Sequence, residues 1–406
     1  MRILYYHQHF STPSGSAGTR SYEMARRLIQ HGHSVTMICG SYGMGNTGLQ
    51  ESFVRGRRSG MVDGINVIEL ELPYANRDSL VKRSRTFARF AFHSTLIALR
   101  SPYDVVFATS TPLTAAIPGI AARTFRRKRF IFEVRDLWPE LPKAMGVITN
   151  PVALTLLSWL EWIAYRSATS CIGLSPGIVD GIRKRAGPAK RVTLVPNGSD
   201  LDVFATALDK SGDMPGTAPG DLDCVFMGAH GLANGLDAVL DVAVELKKRA
   251  RTDIRLVMIG DGRCKPALQK RAADETLDNV KFMAPIAKTE LYSLLRSADV
   301  GLMILANVPA FYYGTSPNKF FDYIAAGIPV LNNYPGWLAD MITDAGAGIA
   351  VPPEDSVAFA DALEYFADHV EERISMGARA RELAQGKFDR EKLAQAFVAE
   401  FERVAC

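Results

Sequence analysis

The 406-residue chain predicts an α/β protein of two domains, each a parallel sheet covered by helices. Three observations carry this reading. Apolar β-like runs alternate with amphipathic helical stretches in both halves of the chain. The segment "ALDKSGDMPGTAPGDLD", rich in Gly, Pro and Asp, separates one series of alternations from the next, as an interdomain connection does. Glycine-rich loops recur where strands pass into helices, the edge at which ligands meet sheets of this kind. The length also suits two domains of ordinary size, each with its own core.

Taken in order, the strand-like runs of the first half are "RILYY", "HSVTMIC", "DVVFATS", "RFIFEV", "SCIGLS" and "RVTLVP", with helical stretches such as "SYEMARRLIQHG" between them. The second half continues with "LDCVFMG", "IRLVMIG", "NVKFMAP", "VGLMILA" and "PVLNN". Alternation of this kind implies strands joined by helical crossovers. The expected layout is an N-terminal domain over 1–205, a linker at 206–222, a C-terminal domain over 223–387 and a closing segment at 388–406.

Composition narrows the function classes. The five cysteines, Cys39, Cys171, Cys224, Cys264 and Cys406, are odd in number and scattered, with no CxxC spacing, so neither a disulfide framework nor a zinc site is expected. No apolar run reaches the ~18 residues of a membrane span, and the N-terminus enters a strand pattern at once, so the expected location is cytoplasmic. The net charge of +4 hides an asymmetry: residues 1–200 hold 26 Lys and Arg against 13 Asp and Glu, leaving 21 against 30 for the rest. Basic residues gather in "NRDSLVKRSRTFARFAFHS" and "RTFRRKRF", where Lys82, Arg85 and Arg89 share a helical face. A solvated face is the plain reading. Two clusters in one half favour an anionic membrane surface or a phosphorylated lipid, and no motif supports nucleic acid.

The stretch "GTSPNKFFDYIAAGIPV", residues 314–330, reads as a short helix over 317–326. Ser316 is placed as its N-cap, Pro317 suits the first helical position, and Gly327 with Pro329 ends it. At about 100° per residue, Phe320, Phe321, Ile324 and Ala325 share one arc, while Asn318, Lys319 and Asp322 share the opposite quadrant. A helix N-terminus with an added cation is an anion site, and a carboxylate one turn on suits a sugar diol. A capped surface helix with solvated charges fits the same residues.

Three strand-end loops complete the candidate site. "FSTPSGSAGT" follows the first strand, with Gly15 and Gly18 allowing close backbone approach. "FMGAHGLANGLD" is its counterpart in the second domain and holds His230 and Asn234; a structural histidine and a ligand-facing one both fit here. "FEVRDLWPE" puts Glu133, Arg135 and Asp136 at a strand end, where capping and packing are the plain alternatives.

In this order, "PSGSAGTRSYEMARRL", "FEVRDLWPE", "LVPNGSDLDVF", "GLANGLD", "MIGDG" and "SPNKFFDYIAAGIPV" resemble the retaining nucleotide-sugar transferases of glycosyltransferase family 4. The likeness covers nearly the whole chain and is nearest the bacterial branch carrying RDLWPE and SPNK, associated with N-acetylated amino-sugar transfer in surface glycan assembly. It implies the GT-B fold, two facing Rossmann-like domains with a last helix, about 389–404, crossing back to the N-terminal domain. It also implies a UDP-linked sugar donor, a lipid-linked or polysaccharide acceptor, and a peripheral place on the inner face of the cell membrane.

By the same resemblance, Ser316, Asn318 and Lys319 hold the diphosphate and Asp322 the ribose. Gly15 and Arg20 approach the phosphates or acceptor, and Gly262, Arg263, Pro285 and Ile286 border the base, with His230 and Asn234 beside the donor. Asp136 is the candidate for orienting the acceptor hydroxyl, Glu133 the second. The chain departs from the family at three positions: Gly314 stands where many members have a glutamate, and Ala229 and Asn234 where many have an arginine and a lysine. Lys319 would then supply the charge at the leaving phosphate. Asp200-Leu-Asp202 and Asp221-Leu-Asp223 spell DxD, yet both read as turn chemistry, so no metal or other cofactor is expected. Two rivals stand beside transfer: a GT-B-type nucleotide-sugar epimerase and a noncatalytic sugar-nucleotide-binding partner.

Overall fold

The computed structural model describes residues 1–75, 78–204, 214, 218 and 220–405, apart from the side chains of Val203 and Thr289. Most of the expected 206–222 linker therefore lies outside the described residues. Contacts divide the chain into two compact units: residues 1–196 with 314–316 and 391 onward, and residues 197–313 with 317–390. The first division falls at Pro196, within "VPNGSD", ahead of the expected boundary at 205.

The first unit is built on eight strands: β1 (Arg2–Tyr6), β2 (Ser34–Tyr42), β3 (Arg57–Val62), β4 (Ile65–Tyr74), β5 (Val105–Thr109), β6 (Arg129–Val134), β7 (Ser170–Gly173) and β8 (Val192–Leu194). Their order in the sheet is β3-β4-β2-β1-β5-β6-β7-β8. All pairings are parallel except β3 with β4. The central strands are apolar on both faces because helices cover both: along β1, Ile3 and Tyr5 enter one core while Leu4 and Tyr6 enter the other. The first core is closed by helix Arg20–Gln30 and by the C-terminal helix Arg390–Ala405, whose Phe397 and Phe401 both meet Phe107 with ring centroids 5.3 Å apart. Thr193 adds a 2.8 Å hydrogen bond to Glu400 of the same helix. Burying each such side chain contributes about 1.5–3 kcal/mol.

The β3–β4 hairpin is absent from the sequence reading. It turns through Asp63 and Gly64, both at positive φ, the Asp-Gly pair that a tight hairpin prefers. Charges interrupt its strands, among them the buried Glu69 paired with Arg58 at 2.8 Å, so they lack the continuous apolar run by which the others stand out.

The second unit holds six strands, β9 (Leu222–Met227), β10 (Ile254–Ile259), β11 (Val280–Met283), β12 (Val300–Met303), β13 (Val330–Asn332) and β14 (Gly348–Ala350), all parallel. The order β11-β10-β9-β12-β13-β14 reverses direction between β9 and β12, which opens a crevice at their carboxyl ends. Helix Asn318–Ala326 is pinned over that point by Tyr323, whose hydroxyl accepts from Met227 N at 3.2 Å and donates to Val225 O at 3.0 Å. Gly301 makes room for it, since a Cβ there would lie 2.4 Å from the Tyr323 ring.

Candidate active site

Helix Asn318–Ala326 buries the expected arc, with Phe320, Phe321, Ile324 and Ala325 all at 0% exposure. Its start differs from expectation. Pro317, not Ser316, occupies the cap position, and no side chain caps the end. Ser316 is buried in the 314–316 stretch that groups with the first unit. Asn318 opens the helix, and Pro317 offers no side-chain acceptor to its first-turn N–H groups.

Lys319 lies half-buried on the first turn. Its ammonium is 3.8 Å from the centroid of the Phe226 ring and donates to Asn234 Oδ1 at 3.2 Å. Asn234 is oriented in turn by its own donation to Ala229 O at 2.6 Å. Gly228 of the same loop adopts φ +136°, a conformation that side-chain-bearing residues rarely take. Burial pushes the lysine down to about 7, with no carboxylate near enough to offset it. The site therefore holds a desolvated cation, an aromatic floor and an uncapped helix end, which together favour an anion.

Of the polar quadrant, Asp322 is enclosed, while Asn318 and Lys319 are half-buried. Asp322 is 4% exposed, and burial raises its pKa. Lys288 Nζ reaches its Oδ1 at 3.5 Å and the Asp200 carboxylate at 2.9 Å. Asp200 also accepts from Tyr292 at 2.8 Å and from Arg390 at 3.0 Å. Burial would raise the Asp200 carboxyl, but Arg390 and Lys288 outweigh it and hold it well below the usual range. Asp200 is thus committed to cations, and Asp221 is paired with Arg255 at 2.8 Å. Among the described residues no cluster of His, Cys, Asp and Glu suits a metal ion.

His230 is buried in the loop rather than exposed on it. The ring is fully buried, with the Phe226 and Phe282 ring centroids 6.0 and 6.1 Å away. Burial first, then Lys265, lowers it to about 4, so it is a neutral core residue. Its backbone does the work of joining loops: N donates to Asp261 O and O accepts from Cys264 N, both at 2.9 Å. That contact explains two glycines, because a Cβ at Gly262 would lie 2.4 Å from His230 O and one at Gly260 1.9 Å from Gly228 O. Arg263 and Pro285 are exposed and Ile286 half-buried at the carboxyl ends of β10 and β11. Lys265, unmarked in the sequence reading, ties those ends together by donating to Gly260 O and Met283 O at 2.7 Å each.

In the first unit, Arg20 and Glu133 are corrected from ligand contacts to internal partners. Arg20 is 1% exposed, pairs with Glu133 at 2.8 Å and donates to Val195 O at 2.9 Å. Glu133 is fully buried and also accepts from Thr109 at 2.7 Å and Arg135 at 3.3 Å. Burial would raise its pKa, but the two guanidiniums and these hydrogen bonds outweigh burial and keep it ionised. A carboxylate so committed cannot orient an acceptor. Gly15 likewise serves the fold: a Cβ there would come 2.3 Å from Ser11 Oγ and 2.8 Å from Asn46 N.

Asp136 remains presented at the carboxyl end of β6. It is half-buried, accepts from Thr111 at 2.9 Å, and burial raises its pKa against the pull of Thr111 and Arg135. Two strands away in the sheet, across β5, β1 is followed by His7 and Gln8, which the sequence reading passed over. Both are buried, with His7 Nδ1 and both amide atoms of Gln8 unpartnered. Their signal was available: polar residues directly after a strand at the switch point.

Two family models cover most of the chain, a Glycosyl transferase 4-like domain over residues 15–198 and Glycosyl transferases group 1 over 221–369. The chain belongs to glycosyltransferase family 4. This family member is 33% identical over 201 residues to the D-inositol 3-phosphate glycosyltransferase of Paenarthrobacter aurescens, an alignment covering 47% of this chain and 46% of the relative. The chain thus spans about half the length of the curated relatives it matches. Its fold is GT-B. The sucrose-phosphate synthase of Thermosynechococcus elongatus superposes with a TM-score of 0.77 at 17% identity, over 99% of this chain and 98% of that one. HepE of Anabaena in complex with UDP-glucose does so with a TM-score of 0.67 at 15% identity, over 99% of each chain.

Proposed function

We propose that this family 4 member is a retaining, metal-independent glycosyltransferase that moves a sugar from a UDP-linked donor to a lipid-linked or polysaccharide acceptor. The observation that carries the reading is Lys319, a desolvated ammonium over Phe226 at an uncapped helix N-terminus. As the anomeric bond lengthens, charge develops on the leaving diphosphate, and a preorganised cation at a helix N-terminus stabilises it best where water is scarce. Asn234 positions the ammonium. In this reading Asp136, whose pKa burial raises, orients the acceptor hydroxyl and takes its proton.

Asp322 serves this site less directly than the resemblance implies, sharing Lys288 with Asp200 and holding the helix at a fixed depth. UDP as the nucleotide is supported by the same fold binding UDP-glucose in HepE. The N-acetylated amino sugar rests on the stretches "RDLWPE" and "SPNK". The basic first half supports work at the inner face of a membrane, on a lipid-linked acceptor; among the described residues no helix is long and apolar enough to cross one.

The test is a thermal-shift panel of nucleotides and UDP-sugars, followed by product analysis with and without candidate acceptors. A ligand at ~100 times its dissociation constant adds about 2.7 kcal/mol of stability. Stabilisation by UDP-sugars with acceptor-dependent sugar release supports transfer. Conversion of the donor without acceptor would mark an epimerase, and binding without turnover a noncatalytic partner.

A further inference from the structure

One face of the first unit's sheet is covered by four helices, Leu80–Arg100, Ile117–Arg126, Pro151–Ser167 and Pro176–Ala186. Their inward residues, such as Phe90, Ala122, Ala164 and Ile182, are 0% exposed in one core. Their outward residues are unlike those of an ordinary solvated surface. Trp159 is 67% exposed, Trp162 44%, Leu156 64% and Val152 66%, all on one helix. Phe92 and Phe125 on the neighbouring helices are 61% and 74% exposed.

These apolar side chains are interleaved with cations. The four helices carry eleven Lys and Arg against two carboxylates, Glu161 and Asp180. Glu161 is 8% exposed and paired with Arg185, so it adds no negative charge to the surface. Burial first, then the nearby Arg123 and Arg166 guanidiniums, disfavour the charge on Lys190. Arg166 also sits 5.2 Å from the centroid of the Trp162 ring. Tryptophan is suited to the boundary between headgroups and acyl chains, where its ring is apolar and its N–H stays wet, and flanking cations favour an anionic leaflet.

We infer that this four-helix face, centred on Trp159 and Trp162, docks on the surface of an anionic phospholipid bilayer, resting on it without crossing it. The inference rests on the proposed reading that the acceptor is presented at a membrane, and it moves the docking centre away from Lys82, whose ammonium is held by Asp78 at 2.7 Å. A helical layer with apolar side chains and an excess of positive charge, in which among the described residues Lys82 and Arg185 alone are paired with the carboxylates named, matches a leaflet of lipid phosphates better than a protein surface, which would have to be both apolar and acidic over the same area.

The experiment is sedimentation of the full chain with vesicles of phosphatidylcholine alone or with about one third phosphatidylglycerol, together with tryptophan quenching by lipids brominated near the headgroup. The expected result is strong binding only to the anionic vesicles, falling with salt, with quenching of the exposed tryptophans. Trp159→Ser with Trp162→Ser should weaken binding at least about tenfold, and Arg123→Ala with Arg166→Ala should do so only on anionic vesicles. UDP affinity, measured in solution on the same variants, should be unchanged; it separates failure of docking from failure of the transfer reading. The inference is overturned if the parent ignores anionic vesicles, if the tryptophan variant binds them like the parent, or if the face instead supports a concentration-dependent dimer that vesicles do not dissolve.

Discussion

Lys319 offers a test that distinguishes a phosphate-binding cation from a surface lysine. In the free protein, burial lowers it from 10.5 to about 7, while the unfolded chain keeps the ordinary value. The folded state therefore disfavours the charge, a penalty fully present below about pH 7 and lost as pH rises toward 10.5. A bound diphosphate reverses this by supplying the missing anion, so binding above pH 7 must take up a proton. From pH 7 to 9 the charged fraction falls from about one half to one hundredth, and affinity for UDP should drop roughly fiftyfold, with close to one proton taken up per ligand. Phosphate titration near pH 6 lies below this window. Lys319→Ala should weaken UDP binding by about 1.5–3 kcal/mol at pH 7, roughly 10- to 150-fold, and leave affinity nearly flat with pH, at unchanged or slightly higher stability of the free protein. Calorimetric titration in two buffers of different ionisation enthalpy reads both quantities. Equal affinity of parent and variant at pH 7, or the same pH slope in both, would refute the reasoning.

The other residues make separate predictions. Arg20→Ala strands the buried Glu133 carboxylate and should cost about 3–5 kcal/mol in urea unfolding of the first unit, while UDP binding by the second is retained; a loss below 1 kcal/mol would contradict the pairing. Asp136→Asn should lower turnover about 10²- to 10⁴-fold with UDP affinity unchanged, and a variant that turns over like the parent removes Asp136 from the chemistry. His230, held near 4 in the folded state against 6.5 unfolded, contributes stability that is present above pH 6.5 and lost as pH falls toward 4. His230→Phe should flatten that part of the stability profile without weakening UDP binding. Because Asp200 is committed to Lys288 and Arg390, transfer should survive EDTA; abolition by the chelator and rescue by manganese would show a metal role.

Most strands were legible because a parallel sheet covered on both faces writes them as continuous apolar runs. β3 and β4 were not, since Arg57, Arg58, Glu69 and Glu71 interrupt the run, although Asp63-Gly64 marked the hairpin. The helix at Asn318–Ala326 was legible as an apolar arc, but periodicity does not say what covers the opposite face. Lys288, Asp200 and Arg390 enclose Asp322 from distant parts of the sequence, as Arg20 reaches Glu133 across 113 positions. A charge at a strand end therefore looks the same in sequence whether it is presented to a ligand or consumed by the fold. The structure separates the two cases by what offsets burial. At Glu133 and Asp200 opposite charges more than compensate desolvation, so each is complete without a ligand. At Lys319 no opposite charge compensates, only the Asn234 hydrogen bond and the Phe226 ring, and at Asp136 the offset falls short. Among these four, the two whose desolvation is left unbalanced are those to which a diphosphate and an acceptor hydroxyl would bring what the protein withholds.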